Sequence, residues 1–265
     1  MPISYEGAPG SAPSDGMLRD LKGRITRLLG GGPFGLLAGL RARLGDRPTI
    51  VEAGAHRGLD TVCLSRLFRD GTVHAFEPVP ELFAKLRKRT AGLANVRTYN
   101  CALGARSGEA TLHLSGGSSD GSSSLLRPSG HLEFHPRVRF TVSLQVPCVS
   151  LDDWARENGI AKVDLLWLDL HGLEFDVLSA SSLVLPTVKV IYTEVSLKEM
   201  YEGACLYPDY RRWLEGQGFE VVAEDLRWAD MGNVLLARPG NPPTRKPSPA
   251  GASLSGISAG LADRL

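Results

Sequence analysis

The sequence predicts an α/β domain built on one seven-stranded, mostly parallel sheet whose last strand is antiparallel. Three observations predict it. The first is the stretch TIVEAGAHRGLDTVCLSRLFRDGTVHAFEP, from Thr49 to Pro78, which reads as strand, glycine-bearing turn, helix and second strand. The second is a pair of apolar runs further on, Val163 to Leu170 and Val188 to Val195, separated by a short helical pattern and each carrying an acid near its end. The third is the closing pair of strands, Phe219 to Glu224 and Gly232 to Ala237, joined by the compact turn of a hairpin.

Taken in order, residues 1–16 are rich in Gly, Pro and Ser and are expected to be disordered. Residues 17–46 form a helical extension in which Leu18, Leu21, Ile25, Leu28 and Leu29 alternate with basic residues. A Gly-Gly-Gly-Pro break precedes a second short helix from Phe34 to Leu44. Two readings stand for this extension: a cap over the sheet or cleft, or a basic amphipathic helix resting on a membrane or carrier protein. The main domain spans 47–239. Its first strand is Thr49 to Ala53, and from Leu59 apolar residues recur at helical spacing. Thr72 to Phe76 is the second strand and Pro80 to Thr90 a helix with a basic outer face. Val96 to Ala102 is the third strand, and Glu109 to Leu114 and Arg139 to Cys148 are two more. Between those two lies the polar loop GGSSDGSSSLL, Gly116 to Leu126, too polar to be core; it is either a plain flexible linker, which composition alone favours, or a lid whose Ser and Gly backbone groups reach a ligand. Ser150 caps a helix whose first turn carries Asp152 and Asp153, matching the helix dipole. Helices follow at Glu174 to Ala180 and Pro208 to Gln217, and residues 240–265 read as a disordered tail.

The glycine turn selects the ligand. A dinucleotide site needs G-x-G-x-x-G so that a pyrophosphate can lie against the backbone. Here the turn reads Glu52-x-Gly54-Ala55-His56-Arg57-Gly58, with histidine where the middle glycine would stand. That excludes a pyrophosphate cradle and leaves the acid-x-Gly-x-x-x-Gly form associated with S-adenosylmethionine, which carries no phosphate. Gly54 lets the backbone approach the ligand. Glu52 can receive the methionine ammonium, directly or through water. Glu77, followed by Pro78, is placed to accept both ribose hydroxyls. Cys101 and Ala102 fall where an adenine would lie in a doubly wound site.

Composition bounds the rest. Net charge is +1, which supplies no strong field for nucleic acid or an anionic membrane. The chain has 43% hydrophobic and 22% charged residues, as soluble globular proteins do. Cys63, Cys101, Cys148 and Cys205 have no metal-site spacing, so a reduced, cytoplasmic protein is the simpler inference. No signal-like leader and no apolar run of about 18 residues is present, so no membrane span is expected.

Beyond these single features, several stretches together resemble the FkbM family of S-adenosylmethionine-dependent methyltransferases. They are VEAGAHRG (Val51 to Gly58), VHAFEPVPELF (Val73 to Phe83), NCALGARSGEATLHL (Asn100 to Leu114) and SSSL (Ser122 to Leu125). VSLDDWA (Val149 to Ala155), LLWLDLHGLEFDVL (Leu165 to Leu178) and IYTEV (Ile191 to Val195) follow in family order. The resemblance covers about Thr49 to Pro239 and implies a Rossmann-like class I methyltransferase fold. It turns the Ser/Gly loop from a linker into a functional lid and brings Ser123, with Asp169, into the cofactor site. The chain departs from the family at Trp167 and His171, where Lys and Glu are frequent, so no carboxylate role passes to His171.

Methyl transfer to a hydroxyl needs an aligned nucleophile and a proton acceptor. Asp169, His171 and Glu194 end neighbouring strands at one sheet edge and are the expected catalytic residues. Imidazole is the side chain that ordinarily titrates near neutrality, which makes His171 the best base, with Asp169 orienting it or serving itself. Glu174 is expected to hold the local turn. Asp169, Glu174 and Glu194 have the chemistry of a divalent-cation site, but without a second supporting cluster no metal is expected. The expected acceptor is a small molecule, a sugar or a secondary metabolite, and the oligomeric state, homo-oligomer included, is left open. An N-methylating or non-catalytic, cofactor-binding member of the same fold is the alternative.

Overall fold

The structure, a computed structural model, describes residues 33–239. Two short helices come first, α1 (Pro33–Gly39) and α2 (Arg41–Leu44), then β1 (Thr49–Ala53), α3 (Leu59–Leu67), β2 (Thr72–Phe76), α4 (Pro80–Thr90) and β3 (Val96–Tyr99). Next are β4 (Ala102–Gly104), β5 (Gly108–Gly117), α5 (His131–Phe134), β6 (Val138–Ser150) and α6 (Leu151–Glu157). The chain ends with β7 (Leu165–Leu168), α7 (Glu174–Ser179), a 3₁₀ turn (Leu185–Thr187), β8 (Val190–Ser196), α8 (Tyr207–Gly216), β9 (Glu220–Asp225) and β10 (Met231–Ala237).

The main sheet has seven strands in the order β3-β2-β1-β7-β8-β10-β9. β3, β2, β1, β7 and β8 pair in parallel, and β10 runs antiparallel to both β8 and β9. The chain builds outward from β1 in one direction, then returns to build from β7 in the other. The crevice at the carboxyl ends of β1 and β7 is therefore the switch point, where an open α/β sheet takes its ligand.

Each sheet face is covered by its own apolar layer. On one side Val51, Ala53, Leu166 and Ile191 pack with Trp154 of α6, Leu178 of α7 and Tyr210 and Leu214 of α8. On the other, Ile50, Leu165 and Val190 pack with Leu64 and Phe68 of the α3 region and with Leu37 and Leu44 of α1 and α2. Phe34 stacks on Trp167 with ring centroids 4.9 Å apart, so the described part of the N-terminal extension lies on the sheet. The basic stretch from Met17 to Leu29 lies outside the described residues.

One expected strand divides. Val96 to Ala102 is not continuous: β3 ends at Tyr99, and β4 leaves for a separate three-stranded sheet, β4-β6-β5. Asn100 causes the bend, donating its side-chain amide to the main-chain oxygens of Glu77 (2.9 Å) and Pro78 (3.1 Å). The turn swings Cys101 and Ala102 toward the crevice. The small sheet packs Ala102, Leu112, Val146 and Cys148 onto Val79 and Leu82 of the α4 end. Its long β5-β6 ladder carries the Ser/Gly loop, which contacts the turns that follow β1 and β7.

Candidate active site

Gly54 follows β1 with φ +84°, and a Cβ there would collide with the main-chain oxygen of Asp169. Only glycine lets the ends of β1 and β7 approach this closely. The Gly54 and Ala55 amides donate to the Phe76 oxygen at 3.1 and 2.9 Å, and the Asp169 amide donates to the Ala53 oxygen at 3.0 Å. Three strand ends are thus stitched together where the turn begins. His56 takes the left-handed conformation (φ 51°) and donates its amide to Glu77 Oε2 at 2.8 Å, while Val79 donates to Glu77 Oε1 at 2.8 Å. Glu77 is 4% exposed, and burial pushes its carboxyl up to about 7 against these two donors.

A cavity of ≈ 1210 Å³ opens here, lined by Gly54, Ala55, His56, Glu77, Pro78, Cys101, Ala102, Ser123 and Asp169 among others. Nine of the eleven residues expected at the cofactor are therefore brought to one wall. Gly58 instead begins α3 with φ +75°, its Cα facing Leu86 so closely that a Cβ would lie 2.6 Å from that side chain. Glu52 is 1% exposed and off the wall; burial, then Asp60, holds its carboxyl well above the ordinary range.

The turn after β7 is held from within. The buried Glu174 carboxylate accepts from the Leu170 amide (2.7 Å) and the Gly172 amide (2.9 Å), which closes the turn and fixes His171 in a left-handed conformation (φ 53°). Burial raises the Glu174 carboxyl to about 7. His171 Nε2 stands 3.6 Å from Asp169 Oδ1, an ion-pair distance rather than a hydrogen bond. Asp169 Oδ1 is buried with no hydrogen-bond partner. Glu194, one strand over, completes the group: one ligand-type atom from each of Asp169, His171 and Glu194 lies within 4.8 Å of the others. Burial first, then Asp169, Glu174 and Asp230, drive the Glu194 carboxyl well above its ordinary range.

A second cavity, of ≈ 1440 Å³, adjoins this group. Asp169 and His171 line both cavities, whereas Glu194 lines only the second, together with Trp167, Tyr192 and Asn233. Phe34 and Leu36 of α1 close one side of it.

The Ser/Gly loop crosses the boundary between the two cavities. Asp120 accepts from Arg57 and meets His56 Nε2 at 3.2 Å. Burial works to raise the Asp120 carboxyl, and His56 and Arg57 outweigh it, leaving it below its ordinary value. Ser124 donates its hydroxyl to the His171 oxygen (2.9 Å), and Tyr201 donates to the Ser122 oxygen (2.7 Å). One loop is thereby fastened to the β1 turn, the β7 turn and the segment after β8. Asp120 had no signal of its own in the sequence, since its partners lie more than sixty positions away.

The cofactor wall fits S-adenosylmethionine. It offers a buried carboxylate for ribose hydroxyls at Glu77, close backbone approach at Gly54, and an apolar patch of Val79, Leu82 and Leu103 for a purine. It carries no phosphate cradle.

The family model described as Methyltransferase FkbM domain matches residues 52–221. The chain belongs to the FkbM methyltransferase family. It is 33% identical over 194 residues to 2-O-methyltransferase NoeI of Sinorhizobium fredii (strain NBRC 101917 / NGR234), covering 71% of this chain and 79% of that protein. It is 27% identical over 223 residues to Methyltransferase sdnD of Sordaria araneosa, covering 74% and 83%. Among solved structures, Aeropyrum pernix fibrillarin with natively bound S-adenosyl-L-methionine is similar at a TM-score of 0.45 and 13% identity, over 77% of this chain and 73% of that one. By its family this protein is an S-adenosylmethionine-dependent methyltransferase, and by its own strand order it has the class I sheet, mostly parallel and seven-stranded with β10 reversed. Among the described residues no helix is long and apolar enough to cross a membrane.

Proposed function

We propose that this FkbM methyltransferase methylates a hydroxyl oxygen of a small acceptor, a sugar or a secondary metabolite, within the cytoplasm. The observation that carries the reading is that Asp169 and His171 line both cavities, at the junction where a methyl donor on one side would meet an acceptor on the other. The similarity to a 2-O-methyltransferase supports oxygen as the atom methylated. The near-neutral net charge supports a small acceptor rather than nucleic acid.

When bound, S-adenosylmethionine supplies an electrophilic sulfonium methyl group. Glu77 would hold its ribose, Gly54 and Ala55 its methionine part, and Ala102 and Leu103 its purine. His171 Nε2 would take and hold the proton that the acceptor hydroxyl gives up. Asp169, 3.6 Å away, stabilises the imidazolium that results. Glu194 accepts a hydrogen bond from the acceptor and fixes its approach.

Incubation with S-adenosylmethionine and a panel of glycosides and hydroxylated metabolites, read by mass spectrometry, tests this reading. A product heavier by one methyl group is expected. His171→Asn suits the left-handed backbone at that position and should lower kcat by roughly 10²–10⁴-fold. Cofactor affinity, read by calorimetry, should stay nearly unchanged. Loss of cofactor binding with no separate loss of turnover would remove His171 from the chemistry.

The spacing of Asp169, His171 and Glu194 favours one second reading, a divalent cation held by the three that orients the acceptor oxygen. Activity that survives chelation supports the metal-free reading. Activity lost to chelation and restored by Mg²⁺, Mn²⁺ or Ca²⁺ supports the second.

A further inference from the structure

The second cavity contains a polar pair that the methyl-transfer chemistry does not use. His135, just past α5, bonds through Nε2 to Asp230 Oδ2 at 2.7 Å, across 95 positions of chain. The two differ in setting: the His135 side chain is 39% exposed, whereas that of Asp230 is 7% exposed. Asp230 is anchored from behind, its main-chain oxygen accepting from the Leu197 amide (2.7 Å) and the Lys198 amide (3.1 Å) at the end of β8. The His135 ring lies 4.9 Å from that of the buried His131, which in turn packs on Phe140 and Tyr201. The imidazole is therefore fixed on one face by packing and at one nitrogen by a carboxylate. A carboxylate on Nε2 orients the ring and leaves Nδ1 as the nitrogen that can hydrogen-bond a ligand.

Each partner of this pair has an aromatic neighbour in sequence that lines the same cavity. Phe134 precedes His135, and Trp228 stands two residues before Asp230. Both rings are exposed, Trp228 at 45% and Phe134 at 36%. An aromatic face beside a hydrogen-bonding group of fixed orientation is the combination that recognises a sugar ring, whose C–H face is apolar and whose rim carries hydroxyls.

We propose that His135, held by Asp230, and Trp228 form a sugar-ring subsite of the acceptor cavity, gripping a hydroxyl other than the one methylated. The subsite rests on the reading of a hydroxylated acceptor. It makes His135 a binding residue and leaves proton transfer to Asp169 and His171.

The test uses the full chain, saturating S-adenosylmethionine, and methyl and aryl glycosides of rhamnose, fucose and glucose as acceptors. For the glycoside that wild type methylates best, His135→Gln and Trp228→Ala should each raise KM by about tenfold or more while kcat stays within about threefold, the pattern of lost uniform binding. Cofactor affinity should not move in either variant, and Trp228→Ala should leave Tm unchanged because that side chain is substantially exposed; His135→Gln, which removes a partner of the buried Asp230 carboxylate, should lower Tm modestly. Asp230→Asn, which keeps the shape but weakens the hold on the imidazole, should raise KM by a smaller factor. An unchanged KM in both exposed variants would overturn the subsite. So would a fall in kcat at constant KM, which would place the pair in the chemistry instead. Failure of wild type to methylate any of these glycosides, while methylating a non-sugar alcohol, would overturn the sugar acceptor and the subsite with it.

Discussion

Gly54 carries more of the site than any charged residue, because it sets how closely β1 and β7 meet. Its φ of +84° and the collision that a Cβ would make with the Asp169 oxygen act together. Gly54→Ala should lower stability by about 2–4 kcal/mol and displace Asp169, so that cofactor binding fails even where the fold survives. Thermal melts with and without S-adenosylhomocysteine check this; a variant that melts and binds like wild type would refute the role. This position was legible in the sequence, since a glycine between a strand end and a helix marks a turn where the backbone needs positive φ or close approach. Glu77 was legible too, as an acid closing the second strand. Glu52 was not, because sequence spacing places a residue on a strand but not on a face, and its buried side chain lies near Asp60 and outside the cavity. His135 was invisible: nothing in its neighbourhood announces a partner 95 residues on.

The Ser/Gly loop shows what composition conceals. Its residues are those of a flexible linker, yet it is fastened at Asp120, Ser122 and Ser124 to three separate parts of the site. Polar loops of this kind become ordered only through partners supplied by the fold, and those partners are distant in sequence. The split between β3 and β4 has the same origin, since one side-chain amide, Asn100, overrides an uninterrupted strand pattern. The Asp120 contacts are partly exposed, so their effect should appear in loop closure rather than in global stability. Asp120→Ala is expected to leave Tm within about 2 °C and to weaken cofactor binding by roughly three- to tenfold, mainly through faster release. Stopped-flow displacement of S-adenosylhomocysteine measures this directly. A release rate equal to that of wild type would mean that the loop does not retain the cofactor.

The sheet order follows from the pattern of the whole chain. Parallel strands alternating with helices must cross over right-handedly, and the long excursion between β3 and β7 returns the chain to the far side of β1. That return creates the crevice, and the crevice buries carboxylates. Glu77 and Glu174, both raised to about 7 by burial, are ionised at a cost in the unliganded protein. A carboxyl whose folded pKa lies above its unfolded value of about 4.5 adds stability below that value, and the contribution is lost as pH rises through about 7. On the proposed reading, in which Glu77 accepts the ribose hydroxyls, the cofactor works in the opposite sense there, since those hydroxyls donate best to the ionised form. The rise in Tm produced by S-adenosylhomocysteine should therefore grow between pH 6 and pH 8, while the contribution of Glu77 to the unliganded Tm declines over the same interval. In Glu77→Gln the ligand-induced rise should be smaller and should lose most of its pH dependence, because the amide has no proton to release. Scanning calorimetry across that interval, at fixed ligand concentration, separates the two effects. An identical pH profile in wild type and Glu77→Gln would show that another group governs the binding. It would also detach Glu77 from the ribose, although the crevice at the β1–β7 switch point would remain the place where this fold takes its ligand.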